Sequence, residues 1–208
     1  MHSRKVRVAQ GSLTQGTQDV LINASNTNLE LGSGVSGAIR QACGPKYQAY
    51  LAEQLQARCG GPMAPGEVCV TNAGTHPNAK YVAHAAIMDY RQGFTGSSYP
   101  TIELVEQSYA RIWNALADLG EERLSVAIVA LGAGTGQLGA RAPMEKACET
   151  LRDFLEGPRA SAIGDLCFYG YGLVEYIATV EAVSLHFVVP PETLDPEVLA
   201  YMRADLLG

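Results

Sequence analysis

Two glycine-rich stretches hold the residues whose types and spacing could do chemistry. The first, "LGSGVSG", runs from Leu31 to Gly37 and leads into a helical pattern; the second, "LGAGTGQLGA", runs from Leu131 to Ala140, after the apolar run "SVAIVAL" and before a helix with Pro143 near its start. Lacking a Cβ, glycine lets a ligand approach main-chain N–H groups and lets the backbone take positive φ. A loop of this kind opening a helix presents unpaired amides and the positive end of the helix dipole, an arrangement suited to phosphate. Two such loops facing one crevice would clamp a diphosphate with no basic side chain.

Other chemistries fit the sequence less well. Gly134, Gly136 and Gly139 match G-x-G-x-x-G, but a dinucleotide unit wants that pattern in its first strand-to-helix turn. The stretch "GTGQLGAR" lacks the Lys-Ser/Thr of a P-loop. Ser36 in "GVSGA" lacks the second glycine of a nucleophile elbow. His2, His76, His84 and His186 show no metal-ligand spacing, and Cys43, Cys59, Cys69, Cys148 and Cys167 form no C-x-x-C pair, so no metal and no cofactor is expected. The cysteines read as buried thiols, and His84, inside "YVAHAAI", as a satisfied core histidine.

The elements that must position the loops follow from periodicity. Val6 and Val8 alternate with polar neighbours and Val20-Leu21-Ile22 is a short apolar run; both read as strands. Val35, Ala38, Ile39, Ala42 and Cys43 share one helical face, and a second helix is expected from about 46 to 58. "GEVCVTNAG", "KYVAHAAIMDY", "SVAIVAL", "LCFYGYG" and "AVSLHFVV" read as further strands. Helices are expected around Leu104 to Leu116, after Pro143, and from Asp195-Pro196 onward with Val198, Leu199, Met202 and Leu206 on one face. Strands alternating with helices predict an α/β fold: a three-layer α/β/α sandwich with a mixed central sheet. The polar stretch "RQGFTGSSYP" reads as a surface loop, and residues 1–208 as a single domain in which 191–208 form a C-terminal helical extension.

A chain of 208 residues can bury a core without disulfides or metal. Its 47% hydrophobic and 17% charged residues exclude disorder, and no apolar run is long enough for a membrane span. No signal-peptide pattern opens the sequence, so the expected setting is cytoplasmic, without a membrane partner. The net charge of −6 argues against broad binding to a nucleic-acid backbone, though not against one small anion held by amides. The oligomeric state is left open.

Four motifs in order resemble the macrodomain family. "VRVAQGSLTQGTQDVLINASN" resembles its opening strand, G-D-I-T turn and strand ending in N-A-A-N; "LGSGVSGAIRQACGP" resembles G-G-G-V-D-x-A-I and A-A-G-P; "KYVAHAAIMDY" resembles K-Y-V-I-H; and "ALGAGTGQLG" resembles the S-T-G-I-Y-G loop. The resemblance implies a crevice that binds ADP-ribose or an ADP-ribosylated molecule. It would place Ser12 and Leu13 at the adenine, Asn23 in support of the first loop, and Asn26 at the distal ribose, where it is also the candidate catalytic residue. Gly34, Val35 and Ser36 would line one side of the diphosphate; Gly134, Thr135, Gly136, Gln137 and Leu138 would wrap the other.

Three positions depart from that pattern. Ser12 and Ser36 each stand where many members carry an aspartate, and Leu138 replaces an aromatic residue. The loss at Ser36 removes the obvious water-activating carboxylate. The resemblance therefore supports an enzyme that hydrolyses ADP-ribosyl bonds or the ester of O-acetyl-ADP-ribose, alongside a non-catalytic ADP-ribose reader, or a pocket for another nucleotide or an RNA end.

Overall fold

A computed structural model describes residues 4–205. His2 and Leu206, named above, lie outside them. Six strands form one mixed sheet: β1 (Val6–Gln10), β2 (Val20–Asn26), β3 (Val68–Asn72), β4 (Tyr81–Met88), β5 (Leu124–Val129) and β6 (Ile163–Gly170), in the order β1-β6-β5-β2-β4-β3. All neighbours run parallel except β3, which pairs antiparallel with β4 at the edge. The carboxyl ends of β1, β6, β5, β2 and β4 therefore open on the same side of the molecule.

Helices cover both faces, as the sequence predicts. One face holds α1 (Gly34–Ala42) and α2 (Tyr47–Cys59); the other holds α3 (Ile102–Ala117), α4 (Arg141–Leu155) and α5 (Leu173–Ser184). Central strands are apolar on both faces because both are covered. In β5, Val126 and Ile128 pack toward the α3–α5 side, while Ala127 and Val129 pack toward α1 and α2. Helix α3 begins where Thr101 accepts a hydrogen bond from the Leu104 amide, and it buries Tyr109, Ile112, Trp113 and Leu116 completely. Each such side chain contributes about 1.5–3 kcal/mol relative to exposure. A final helix, α6 (Pro196–Asp205), is capped by Asp195, whose carboxylate accepts from the Glu197 and Val198 amides, and it sets Val198 into the larger core.

Two features differ from the sequence reading. "AVSLHFVV" is not a strand: Ala182 to Ser184 end α5, and Val188 is exposed in irregular chain. Val183, Leu185, Phe187 and Val189 alternate as in a strand, yet Val183 belongs to the helical face of Tyr176, Thr179 and Val180. Cys59 is exposed at the end of α2, whereas the other four thiols are buried as expected. Burial pushes Cys43 and Cys148 up to about 12, so neither is a nucleophile.

Candidate functional site

Strand β2 runs four residues beyond its apolar start and carries Ala24, Ser25 and Asn26 to the edge of a cavity of about 700 Å³. The cavity crosses the carboxyl ends of the parallel strands, where open α/β sheets hold ligands. Both glycine turns reach it. Gly34, Val35 and Ser36 line one wall; Gly134, Thr135 and Gly136 line the other.

Each turn leaves amides free. Helix α1 starts at Gly34, and Gly37 is the first amide bonded back to Ser33 O, so the Gly34, Val35 and Ser36 amides have no acceptor within the helix. Gly34 takes φ +58°, a conformation that disfavours any side chain. In the second turn Ala133 bonds to Ala130 O, Gln137 to Gly134 O and Leu138 to Gly132 O. The Gly134, Thr135 and Gly136 amides have no acceptor among the described residues, and Gly136 is buried in the turn. Gly136 is fixed by contact: a Cβ there would lie 2.6 Å from both Cα and O of Gly132.

The wall contains no Lys, Arg or His among the described residues. Any negative charge of a ligand would meet main-chain dipoles and the start of α1 instead.

The first turn is tied to the core by a directed chain of hydrogen bonds. Ser36 Oγ donates to Asn23 Oδ1 (2.9 Å) and lies equally near Ala24 O. Asn23 Nδ2 donates to His84 Nδ1 at 3.0 Å, from directly opposite in the β2–β4 register. That leaves the proton on His84 Nε2, which faces Tyr47 Oη at 3.2 Å; Tyr47 in turn meets Thr71 Oγ1, which donates to Asn72 O. Burial pushes His84 down to about 3, so the ring is neutral and serves the core, as its apolar context predicts. Asn23 is fully buried behind Ser36 and supports the loop without reaching the cavity.

The remaining sequence candidates divide. Ser12, Leu13 and Asn26 line the cavity. Ser12 uses its hydroxyl to cap the following turn at Thr14, and Leu13 buries its side chain, so that residue offers its main chain. Asn26 Oδ1 accepts from the Asn28 and Glu30 amides while Nδ2 donates to Glu30 O, leaving one N–H for a ligand. Gln137 and Leu138 stand outside the wall: Gln137 sits at φ +61°, and Leu138 turns back toward Gly132.

Sequence reasoning missed several lining residues. Tyr171 is 75% exposed at the end of β6, next to Glu175, whose carboxylate accepts from the Tyr171 amide. Phe94 comes from the polar loop read as mere surface, and Tyr90, its ring centroid 4.8 Å away, from the end of "KYVAHAAIMDY", which was read as a strand. Glu30 lies beside Asn26. The "YGYG" after a buried strand was the available signal for Tyr171; nothing in the polarity of "RQGFTGSSYP" marked Phe94. Asp89, just past β4, is not a free base: its bonds to Arg91 hold it down at about 2.

These features define a doubly wound α/β protein with an amide-lined cleft at the carboxyl ends of its strands. The chain belongs to the macrodomain family, matching the Macro domain over residues 22–150. It is 34% identical over 152 residues to a Citrobacter koseri protein named O-acetyl-ADP-ribose deacetylase, a match covering 73% of this chain and 80% of that one. It is also 34% identical over 158 residues to an uncharacterized Thermotoga maritima protein, covering 74% of this chain but only 24% of that longer one. Among solved structures, a Trypanosoma brucei macrodomain in complex with ADP-ribose shares the fold at a TM-score of 0.70 and 23% identity, over 86% of this chain and 68% of that one. An Oceanobacillus iheyensis macrodomain with ADP aligns at a TM-score of 0.69 and 22% identity, over 86% and 89%.

Proposed function

We propose that the cleft binds the ADP-ribose moiety and that the protein hydrolyses an ester on its distal ribose, as in O-acetyl-ADP-ribose. The observation that carries the reading is the pair of glycine turns, Gly34–Ser36 and Gly134–Gly136, opening unpaired amides onto one cavity with no cationic side chain in its wall. A diphosphate bridges the two turns. The purine lies toward Ser12, Leu13 and Tyr171 at the ends of β1 and β6, and the distal ribose lies toward Asn26 at the end of β2. The deacetylase name of the Citrobacter koseri relative supports the ester chemistry.

A second reading, a reader without catalysis, has one observation in its favour: Ser36 turns its hydroxyl inward to Asn23 and Ala24 and offers the ligand no acid or base. Calorimetric titration with ADP-ribose, NAD, AMP and a short RNA, followed by incubation with O-acetyl-ADP-ribose, separates the readings. Binding of ADP-ribose with acetate release supports the hydrolase; binding without release supports the reader; preference for RNA rejects both. The remaining proposals are that residues 1–208 form one such unit with 191–208 as its closing helical segment, and that it acts in the reducing cytoplasm, where its five free thiols persist.

A further inference from the structure

Hydrolysis needs a group that takes a proton from water, and neither Asn26 nor Ser36 is a base. Two carboxylates line the cavity, Glu30 and Glu175. Glu175 holds the Tyr171 amide at the β6 end, away from Asn26. Glu30 adjoins Asn26, and no hydrogen bond or ion pair among the described residues occupies its carboxylate.

The loop that carries Glu30 is built to hold it still. Leu29 and Leu31 are buried at 0% and 1% exposure, so the exposed Glu30 between them is pushed outward. Gln48 of α2 clamps both neighbours: its Nε2 donates to Leu29 O and its Oε1 accepts from the Leu31 amide, each at 2.9 Å. Asn26 grips the Glu30 peptide from both sides, at 3.1 Å to its N and 2.9 Å to its O. Leu29 meanwhile sits at φ +52°, a left-handed conformation costing a leucine about 1–2 kcal/mol. Backbone strain of this kind persists where the surroundings over-determine it and clusters at functional sites. Here the over-determined segment fixes Glu30, a residue of the cavity wall whose exposed carboxylate has no partner among the described residues.

We propose that Glu30 is the catalytic general base, an inference that rests on the ester-hydrolase reading. Its carboxylate takes one proton from a water as that water's oxygen bonds to the acyl carbon, and the carbonyl π pair moves to oxygen. The pair returns as the bond from the acyl carbon to the ribose oxygen breaks, and Glu30 passes its proton to that oxygen. ADP-ribose and the free carboxylic acid leave, and the acid then ionises. The remaining N–H of Asn26 positions the ester oxygen.

The test compares wild type with Glu30→Gln, Glu30→Asp and Glu30→Ala, using O-acetyl-ADP-ribose turnover and ADP-ribose calorimetry. Glu30→Gln should lower kcat by about 10²–10⁴-fold, the usual contribution of a positioned base. ADP-ribose affinity should not change, Glu30→Asp should fall between, and added formate should restore part of the Glu30→Ala rate. Wild-type kcat in Glu30→Gln, or joint loss of affinity and turnover without formate rescue, overturns the role of Glu30 and leaves the hydrolase reading standing. Wild-type protein that binds ADP-ribose and releases no acetate overturns both.

Discussion

Replacing Asn23 with alanine tests whether the buried chain from Ser36 to Thr71 holds the first glycine turn against the sheet. The variant strips His84 Nδ1 of its donor, since Asn23 Nδ2 is its only hydrogen-bond partner among the described residues. A buried acceptor left unpaired costs about 1–3 kcal/mol. Ser36 Oγ keeps Ala24 O, so that side loses one net hydrogen bond, about 0.5–1.5 kcal/mol. The sum, about 1.5–4.5 kcal/mol, should lower Tm by roughly 3–18 °C in a domain of this size. Urea unfolding of Asn23→Ala, His84→Leu and the double variant forms the cycle. In the His84→Leu background no ring nitrogen remains to be orphaned, so the cost of Asn23→Ala should shrink by about 1–2 kcal/mol. Costs that add to within about 0.5 kcal/mol would show the two side chains to be independent and refute the anchoring argument.

The same histidine gives the fold an acid sensitivity: it takes a proton near 6.5 when unfolded but is pushed down to about 3 when folded, so its contribution is complete above about pH 6.5 and is lost as pH falls toward 3. Unfolding free energy should drop by about 1–2 kcal/mol between pH 6.5 and 5, before most carboxylates titrate, and a flat profile there would reject a neutral buried ring. Gly136→Ala should abolish ADP-ribose binding and lower Tm further than Gly34→Ala, because its Cβ meets the Gly132 main chain at 2.6 Å, whereas a Cβ at Gly34 meets no protein atom and costs the fold only the backbone conformation, about 1–2 kcal/mol of stability; equal losses in thermal melts would contradict the contact argument. Tyr171→Ala should weaken ADP-ribose binding by about 1–3 kcal/mol, the usual value of a base on an aromatic ring, and should leave ribose 5-diphosphate unaffected; equal losses for both ligands would move the purine elsewhere.

How much was legible in the sequence depended on whether a signal was local. The turns at Gly34 and Gly136 announced themselves because glycine composition, the preceding apolar strand and the following helix lie within a few residues. Among the described residues, five of the six α-helices and all six strands were read in the sequence, α2 without a periodicity of its own, together with a seventh strand at "AVSLHFVV" that does not form. Helix α5 was lost because its end coincides with an alternating run whose Phe187 and Val189 continue the pattern past the helix. Glu30 was invisible for a different reason. Its role depends on Leu29 and Leu31 being buried on either side and on Gln48 arriving from α2, and neither fact is written in the loop itself.

The acidic charge of the chain and its proposed anionic ligand are reconciled by where preorganisation resides. A lysine or arginine at the cleft would supply charge but lose side-chain freedom on binding, about 2 kcal/mol of rotamer entropy each. Main-chain amides fixed by the β2–α1 and β5–α4 turns have lost that freedom already, when the chain folds. The positive φ of Gly34, the close packing of Gly136 on Gly132 and the left-handed Leu29 are the local penalties of that arrangement, and the sheet beneath sustains them. A site built this way should bind with little dependence on salt, because no mobile cation is displaced or screened. A steep loss of ADP-ribose affinity between low and high ionic strength would locate the phosphate contacts on a side chain instead, and would remove the reason for two glycine turns to face one cavity.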